Sequence, residues 1–182
     1  MWTTDPQRIK KLAQEKEEEN WEFRSFLKGI DMHSEELDVL VHGLYKDISS
    51  RIDCLDCGNC CRVILPNLSP VDITGLAAGL RLSKAELTRR YLTTREDQEN
   101  TYTFNATPCP FLDGNQCTVY ECRPQSCRSY PHLHKSGFTH RLIQVVENYA
   151  ICPIVFNVYE ELKKMLWQPF WHGHQSPWWG LV

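Results

Sequence analysis

The sequence predicts a mostly α-helical protein with a few short strands, a small single domain organised around cysteine metal-binding knuckles. Three observations lead there. Apolar residues recur at spacings of three and four along several stretches, as the buried face of a helix requires. Strand-like runs are short and lie beside the turn signal Asp113-Gly114-Asn115. Nine cysteines stand among 182 residues, and all of them fall between positions 51 and 165.

Composition bounds the reading. The chain is 42% hydrophobic and 24% charged, with a net charge of −3. That is a globular composition, and it excludes a disordered chain or a collagen-like repeat. Nonspecific duplex binding relies on many Lys and Arg contacts to phosphate. Here 20 basic residues face 23 acidic ones, with no basic run, so no nucleic-acid partner is expected. The N-terminal stretch lacks the apolar core of a signal peptide, and no run approaches the roughly 18–20 apolar residues of a membrane span. The expected location is therefore cytoplasmic, with no membrane partner. In a reducing compartment, clustered cysteines are read as thiolate ligands rather than disulfides.

Three segments are expected: an N-terminal helical extension over residues 1–50, a cysteine-cluster metal-binding domain over 51–165, and an irregular Trp-rich tail over 166–182. In the first, Asp5-Pro6 starts a helix, with Pro at the first helical position. Ile9, Leu12, Trp21, Phe23, Phe26 and Leu27 form an imperfect helical stripe, and Glu15 to Glu19 read as a solvated, charged face. Ser34, with Glu36 and Leu37 after it, starts a further helix whose stripe is Leu37, Leu40, Val41, Leu44 and Ile48.

In the second segment, Ser69-Pro70 opens a helix carrying Val71, Ile73, Leu76 and Leu80, with Gly79 marking its end. Ser83 and Glu86 fit a capping box for a helix with Leu87 and Tyr91. The pair reads as an ordinary helical hairpin rather than a DNA-binding helix-turn-helix. Tyr102–Phe104, Cys117–Tyr120 and Leu142–Val146 are strand candidates. Pro153 to Leu166 reads as a helix facing inward through Ile154, Val158, Leu162 and Met165. The tail holds four of the six tryptophans, two prolines and two glycines, which forbid a regular helix. Its aromatic residues are a candidate contact for a protein partner.

The cysteines carry the chemistry. In Cys54-Leu-Asp-Cys57-Gly-Asn-Cys60-Cys61-Arg62 the two-residue spacing lets the chain fold back so that two sulfurs grip one ion. Gly58 permits the tight turn this needs, and amides in such turns donate to sulfur. The Cys-x2-Cys-x2-Cys run also matches the spacing that wraps three corners of a 4Fe-4S cluster. Adjacent side chains diverge in a helix or a strand, so Cys60 and Cys61 are not expected to serve one small site in the same way: one binds metal while the other binds a second site or packs. The later cysteines are Cys109, Cys117, Cys122, Cys127 and Cys152; Cys109 and Cys152 each precede a proline. Arg62, Arg123 and Arg128 stand beside motif cysteines, placed to neutralise thiolate charge and lower thiol pKa values. The pairs His132/His134 and His172/His174 read as solvated histidines, since thiolates suffice as ligands.

The run CLDCGNCCR, the block CPFLDGNQCTVYECRPQSCRSYP and the later Cys-Pro are similar to the YkgJ-type cysteine-cluster family, described as zinc- or iron-chelating and marked by a CxxCxxCC motif. Flagellin lysine N-methylases share this cysteine signature. The resemblance covers residues 51–155, and the helices over 69–92 look like the family's insert. It implies eight ligands: Cys54, Cys57, Cys60, Cys61, Cys109, Cys117, Cys127 and Cys152. Cys122 stands outside the family pattern. The leading expectation is a zinc- or iron-binding protein, iron–sulfur included, whose site is structural or carries electrons. The alternatives are a protein-modifying enzyme resembling the flagellin methylases and a metal-stabilised interaction module. No catalytic signature is found: no phosphate-cradling Gly loop, dinucleotide fingerprint, His-Glu-x-x-His helix or nucleophile elbow.

Overall fold

A computed structural model describes residues 2–94 and 101–167. The chain is mostly helical with a few short strands, as expected. It forms two compact units. Of the described residues, 2–52 and 133–167 make up one, and 53–94 with 101–132 the other.

The first unit is helical. Helix α1 (Pro6–Glu15) opens with Pro6, and the Asp5 side chain accepts the Gln7 N–H at 2.9 Å. The helical stripe expected from Ile9 to Leu27 is divided between α1 and α2 (Glu17–Gly29), with a break at Lys16. Ile9, Phe23 and Leu27 are buried, whereas Trp21 is exposed. Helix α3 (Ser34–Ser49) buries Leu37, Val41 and Ile48; its cap is His33, one residue before Ser34, and the His33 N–H donates to Glu36 Oε2 at 3.3 Å. On the same helix, buried Asp38 accepts the backbone N–H groups of Gly137 and Phe138 at 2.7 and 2.9 Å, which fixes the start of a 3₁₀ turn at Phe138–Arg141.

Two expectations fail in this unit. Leu142–Val146 is not a strand but part of helix α9 (Leu142–Tyr149). Its buried residues are Leu142, Val145 and Tyr149, a helical spacing that packing enforces over the strand preference of Ile143, Val145 and Val146. In α10 (Pro153–Leu166), Ile154, Val158 and Leu162 are buried as expected, but Met165 is exposed. The face beside it is occupied by Lys163, which is buried. Its Nζ donates to Glu19 Oε1 at 2.7 Å, Asn20 Oδ1 at 2.6 Å and Glu160 Oε1 at 3.0 Å. Lys16 and Glu19 therefore leave the expected solvated face and join this network, in which Lys16 also pairs with Glu160. Glu15, Glu17 and Glu18 remain exposed.

The second unit packs short elements on an apolar cluster formed by Leu68, Ile73, Leu76, Leu87, Phe104, Phe111 and Val119, among others. Helix α4 (Cys54–Cys57) and helix α5 (Asn59–Val63) meet at Gly58. Helix α6 (Pro70–Leu80) has the full capping box, with Asp72 accepting from Ser69 and Ser69 Oγ accepting from the Asp72 N–H. It ends not through Gly79 but through Arg81, which adopts the left-handed conformation at φ 57°. Gly79 serves close packing instead: a Cβ there would lie 2.3 Å from Cys122 Sγ. Helix α7 (Lys84–Tyr91) leads into β1 (Leu92–Thr94), which pairs antiparallel with β2 (Tyr102–Phe104), Leu92 opposite Phe104.

Asp113-Gly114-Asn115 does turn a hairpin, but its strands are only β3 (Leu112–Asp113) and β4 (Gln116–Cys117). Cys117–Tyr120 is thus not a strand. The chain leaves β4 at once for a 3₁₀ turn at Tyr120–Cys122 and helix α8 (Gln125–Ser129). No single helix among the described residues is long and apolar enough to cross a membrane.

Candidate metal centre

The first knuckle is α4–Gly58–α5. Asp53 caps α4 by accepting the Leu55 N–H at 2.8 Å. Gly58 then reverses the chain at φ +57°, and a Cβ on it would meet the Asn115 carbonyl oxygen at 2.8 Å and an Arg62 nitrogen at 2.9 Å. The position needs glycine twice, for its backbone angle and for its close neighbours. Two side chains clamp the turn. Arg62 donates to the Cys57 carbonyl at 3.1 Å, to the Gly114 carbonyl at 2.6 Å and to Asn115 Oδ1 at 2.5 Å. Asn115 Nδ2 donates to the Asp56 carbonyl at 2.7 Å. The hairpin turn between Cys109 and Cys127 is thereby fastened to the knuckle bearing Cys54 and Cys57.

A second stitch joins the cysteine groups directly, because the Cys109 N–H donates to the Cys61 carbonyl at 2.8 Å. Cys109 stands just before β3, Cys117 closes β4, and Cys127 lies on α8. The charges of Cys61 and Cys117 reach Cys109, those of Cys61 and Cys122 reach Cys117, and those of Cys61, Cys109 and Cys117 reach Cys127, so the two cysteine groups are neighbours. Cys54 interacts in the same way with Cys57 and Cys61. Cys60 Sγ lies 4.0 Å from Cys61 Sγ. With Zn–S bonds of about 2.3 Å, two thiolates of one tetrahedral site are about 3.8 Å apart. The two adjacent sulfurs thus stand side by side, at a spacing close to that of neighbouring ligands.

The surroundings treat these thiols unequally. A hydrogen bond from Cys60 lowers the Cys61 thiol to about 7, against the opposing effect of burial and with help from Arg62 and Arg123. Burial pushes Cys109 up to about 11, although the Phe111 N–H bonded to its sulfur pulls the other way. Burial also raises Cys117, against a bond from the Val119 N–H, and it drives Cys127 up to about 12 together with the charges of Cys61, Cys109 and Cys117. Amide N–H groups two residues downstream of a cysteine are the sulfur donors expected of knuckle turns. A buried thiol with a high pKa stays protonated until a cation supplies compensating charge, so metal binding here releases protons.

The donor set suits a soft or borderline metal: thiols, amide donors to sulfur, and guanidinium charge. As the side chains stand, no three His, Cys, Asp or Glu groups among the described residues converge on one ion. Ligation therefore requires the thiols to turn inward. All nine cysteines are free.

The arginines have distinct tasks. Arg62 is both clamp and charge. Arg123 lies over Tyr120, 3.6 Å from the ring centroid; its charge opposes the burial that raises Cys54 and Cys117, and it adds to the Cys60 hydrogen bond that lowers Cys61. Arg128 is the exception to the expected role. It donates to the backbone carbonyls of Arg123 and Glu121, and so braces the loop rather than a thiolate. The clamp formed by Arg62 and Asn115 was not anticipated. Its only trace in the sequence is the Asp-Gly-Asn turn, which reads as a hairpin signal whether or not it grips a second segment.

Three further candidates lie elsewhere. Cys152 belongs to the helical unit, buried at the cap of α10, where its N–H donates to the Asn148 carbonyl at 2.8 Å. His132 ends the cysteine unit in a left-handed conformation, φ 64°, with its ring 6.1 Å from that of Tyr130. His134 lies in the helical unit with its ring 5.9 Å from that of Tyr45. His172, His174 and the expected aromatic patch lie outside the described residues, except for Trp167, whose ring sits 5.4 Å from Phe23. Cys122 packs against the apolar cluster of its unit, as Cys109 and Cys117 do.

Comparison with known proteins gives one match. A family model described as "CxxCxxCC: Putative zinc- or iron-chelating domain" covers residues 53–153. No curated protein and no solved structure matches the chain.

Proposed function

The chain belongs to the CxxCxxCC family of zinc- or iron-chelating domains, and on that premise we propose that its cysteine unit chelates one resident zinc or iron centre through thiolates drawn from both cysteine groups. The observation that carries this reading is the fastening of the two cysteine groups to each other, by the Cys109–Cys61 backbone bond and by the clamp of Arg62 and Asn115. Four thiolates close a coordination shell without water, the mark of a structural or electron-carrying site rather than one with a position open to substrate. Such a centre, when bound, supplies cross-linking to a unit built from short elements; as an iron–sulfur cluster it also supplies a one-electron couple.

The chain's own residues set the terms of binding. The clamp of Arg62 and Asn115 presets the first knuckle. Amides of Phe111 and Val119 hold the sulfurs of Cys109 and Cys117, and Arg62 and Arg123 offset the negative charge of a tetrathiolate site. The ligand role that the family resemblance gives Cys152 is not part of this proposal, which concerns one unit only.

Metal analysis of anaerobically purified protein, together with its absorption spectrum, tests the reading. One equivalent or more of zinc without visible absorption supports a structural zinc site, and iron with broad visible bands supports a cluster. Protein that folds, keeps its thiols reduced and retains neither metal overturns it.

A further inference from the structure

The helical unit holds a cavity of about 360 Å³ to which none of the cysteine unit's residues contributes. Its walls come from Trp2 and Thr3, from α1, and from one face of α10. A volume of this size is that of a small-molecule site. Buried Asn157 on α10 fixes the N-terminal wall. Its Oδ1 accepts the Thr3 N–H at 3.0 Å, and its Nδ2 donates to the Thr3 carbonyl at 2.8 Å and to the Pro153 carbonyl at 2.7 Å. One side-chain amide thus grips both backbone groups of Thr3, as a neighbouring strand would.

The lining has two chemistries. Trp2, Leu12 and Phe156 supply apolar surface, and two ion pairs, Lys16 with Glu160 and Lys164 with Glu161, supply charge. The pairs are not equivalent. Glu160 also accepts from Tyr149 and Lys163, so the Lys16 pair is built into the interior network of the unit. The Lys164–Glu161 pair, at 2.7 Å, stands alone at the surface, its side chains 54% and 25% exposed. An exposed pair of this kind contributes little to stability and opens readily.

We propose that this cavity binds a small zwitterion with an apolar body, an amino acid with an apolar side chain, whose ammonium meets Glu161, whose carboxylate meets Lys164 and whose side chain lies against Trp2, Leu12 and Phe156. Charge balance is the argument. Both cations and both carboxylates of the lining already have partners, so the wall is neutral. A ligand with one charge would open a pair and leave one member unmatched, which is unfavourable in a partly desolvated site. A zwitterion opens the one readily opened pair and matches both members at once. The apolar wall then selects among zwitterions for those with surface to bury.

Calorimetric titration of the full chain with L-phenylalanine and L-leucine tests this. Each is compared with the amine and the carboxylic acid that keep its side chain and lack one charge. Saturable binding of at least one amino acid is expected, with its two singly charged analogues weaker by at least about tenfold. Glu161→Gln and Lys164→Gln, both at the surface, are each expected to weaken the amino acid by a similar factor, and Glu18→Gln, exposed on α2 away from the lining, to leave it unchanged. Backbone amide resonances locate the site without any variant: those of Thr3, Glu161 and Lys164 shift on titration. Absence of saturable binding by both amino acids, an analogue that binds as tightly as its parent, full affinity in either cavity variant, or shifts confined to residues outside the lining overturns the proposal. None of these outcomes bears on the metal content of the cysteine unit.

Discussion

Gly58 is where a single atom decides most. An alanine there accepts a left-handed backbone at a cost of about 1–2 kcal/mol, and its methyl group meets a backbone carbonyl of the hairpin that has nowhere to go. Gly58→Ala is expected to weaken zinc binding by at least tenfold, about 1.4 kcal/mol, as read by chelator competition; affinity equal to wild type contradicts the clamp. Cys122 is the contrasting residue. It packs against the apolar cluster of its unit, and its sulfur would lie 2.3 Å from a Cβ on Gly79. Cys122→Ser is expected to keep full metal content, and Cys127→Ser to lose it; equal losses by metal analysis contradict the division. At this scale the turn at Gly58 was legible, because two-residue cysteine spacing around a glycine marks a knuckle. That the Cys60 and Cys61 sulfurs stand side by side was not, because spacing in the sequence does not fix the position of a sulfur.

Single elements were legible where a cap and a stripe agreed. Asp5-Pro6, Ser69-Pro70, and Ser83 with Glu86 each start a helix that the structure contains. Leu142–Val146 failed because β-branched residues suggest a strand, while the partners that make it a helix lie far away in sequence. Lys163 illustrates the same limit, since its burial depends on Glu19, Asn20 and Glu160 arriving from two helices. Burial pushes the Glu160 carboxyl up, but Lys16 and Lys163 outweigh it and hold the group below its usual range. A depressed folded-state pKa contributes stability that is present above the ordinary glutamate value and fades as pH falls through the lower folded value. Glu160→Gln, which leaves Lys163 short of a countercharge, is expected to cost about 3 kcal/mol at pH 7. The difference from wild type shrinks in acid below the folded-state value. Denaturant unfolding at both pH values checks this, and a pH-independent difference contradicts it.

The whole molecule divides its stability between two kinds of packing. The helical unit buries its own aromatic and aliphatic core, with Tyr149, Tyr159, Phe23 and Phe138 nearly inaccessible. The cysteine unit has short helices, two two-stranded ladders and one apolar cluster. Metal ligation at such a site contributes folding free energy directly. Chelation is therefore expected to speed amide exchange across residues 53–132, while α3 and α10 keep their protection; uniform protection after chelation, or loss in both units alike, contradicts this. Mostly helical class and a cysteine-rich middle region were legible from composition and periodicity. The return of residues 133–167 to the N-terminal helices was not, since it depends on long-range contacts such as Asp38 with Gly137 and Thr3 with Asn157.

X-ray absorption at the edge of the bound metal, recorded on reduced full-length protein loaded with one equivalent, tests the central claim most directly. A closed thiolate centre predicts a first shell of about four sulfurs, near 2.3 Å if the metal is zinc. A first shell dominated by nitrogen or oxygen contradicts it.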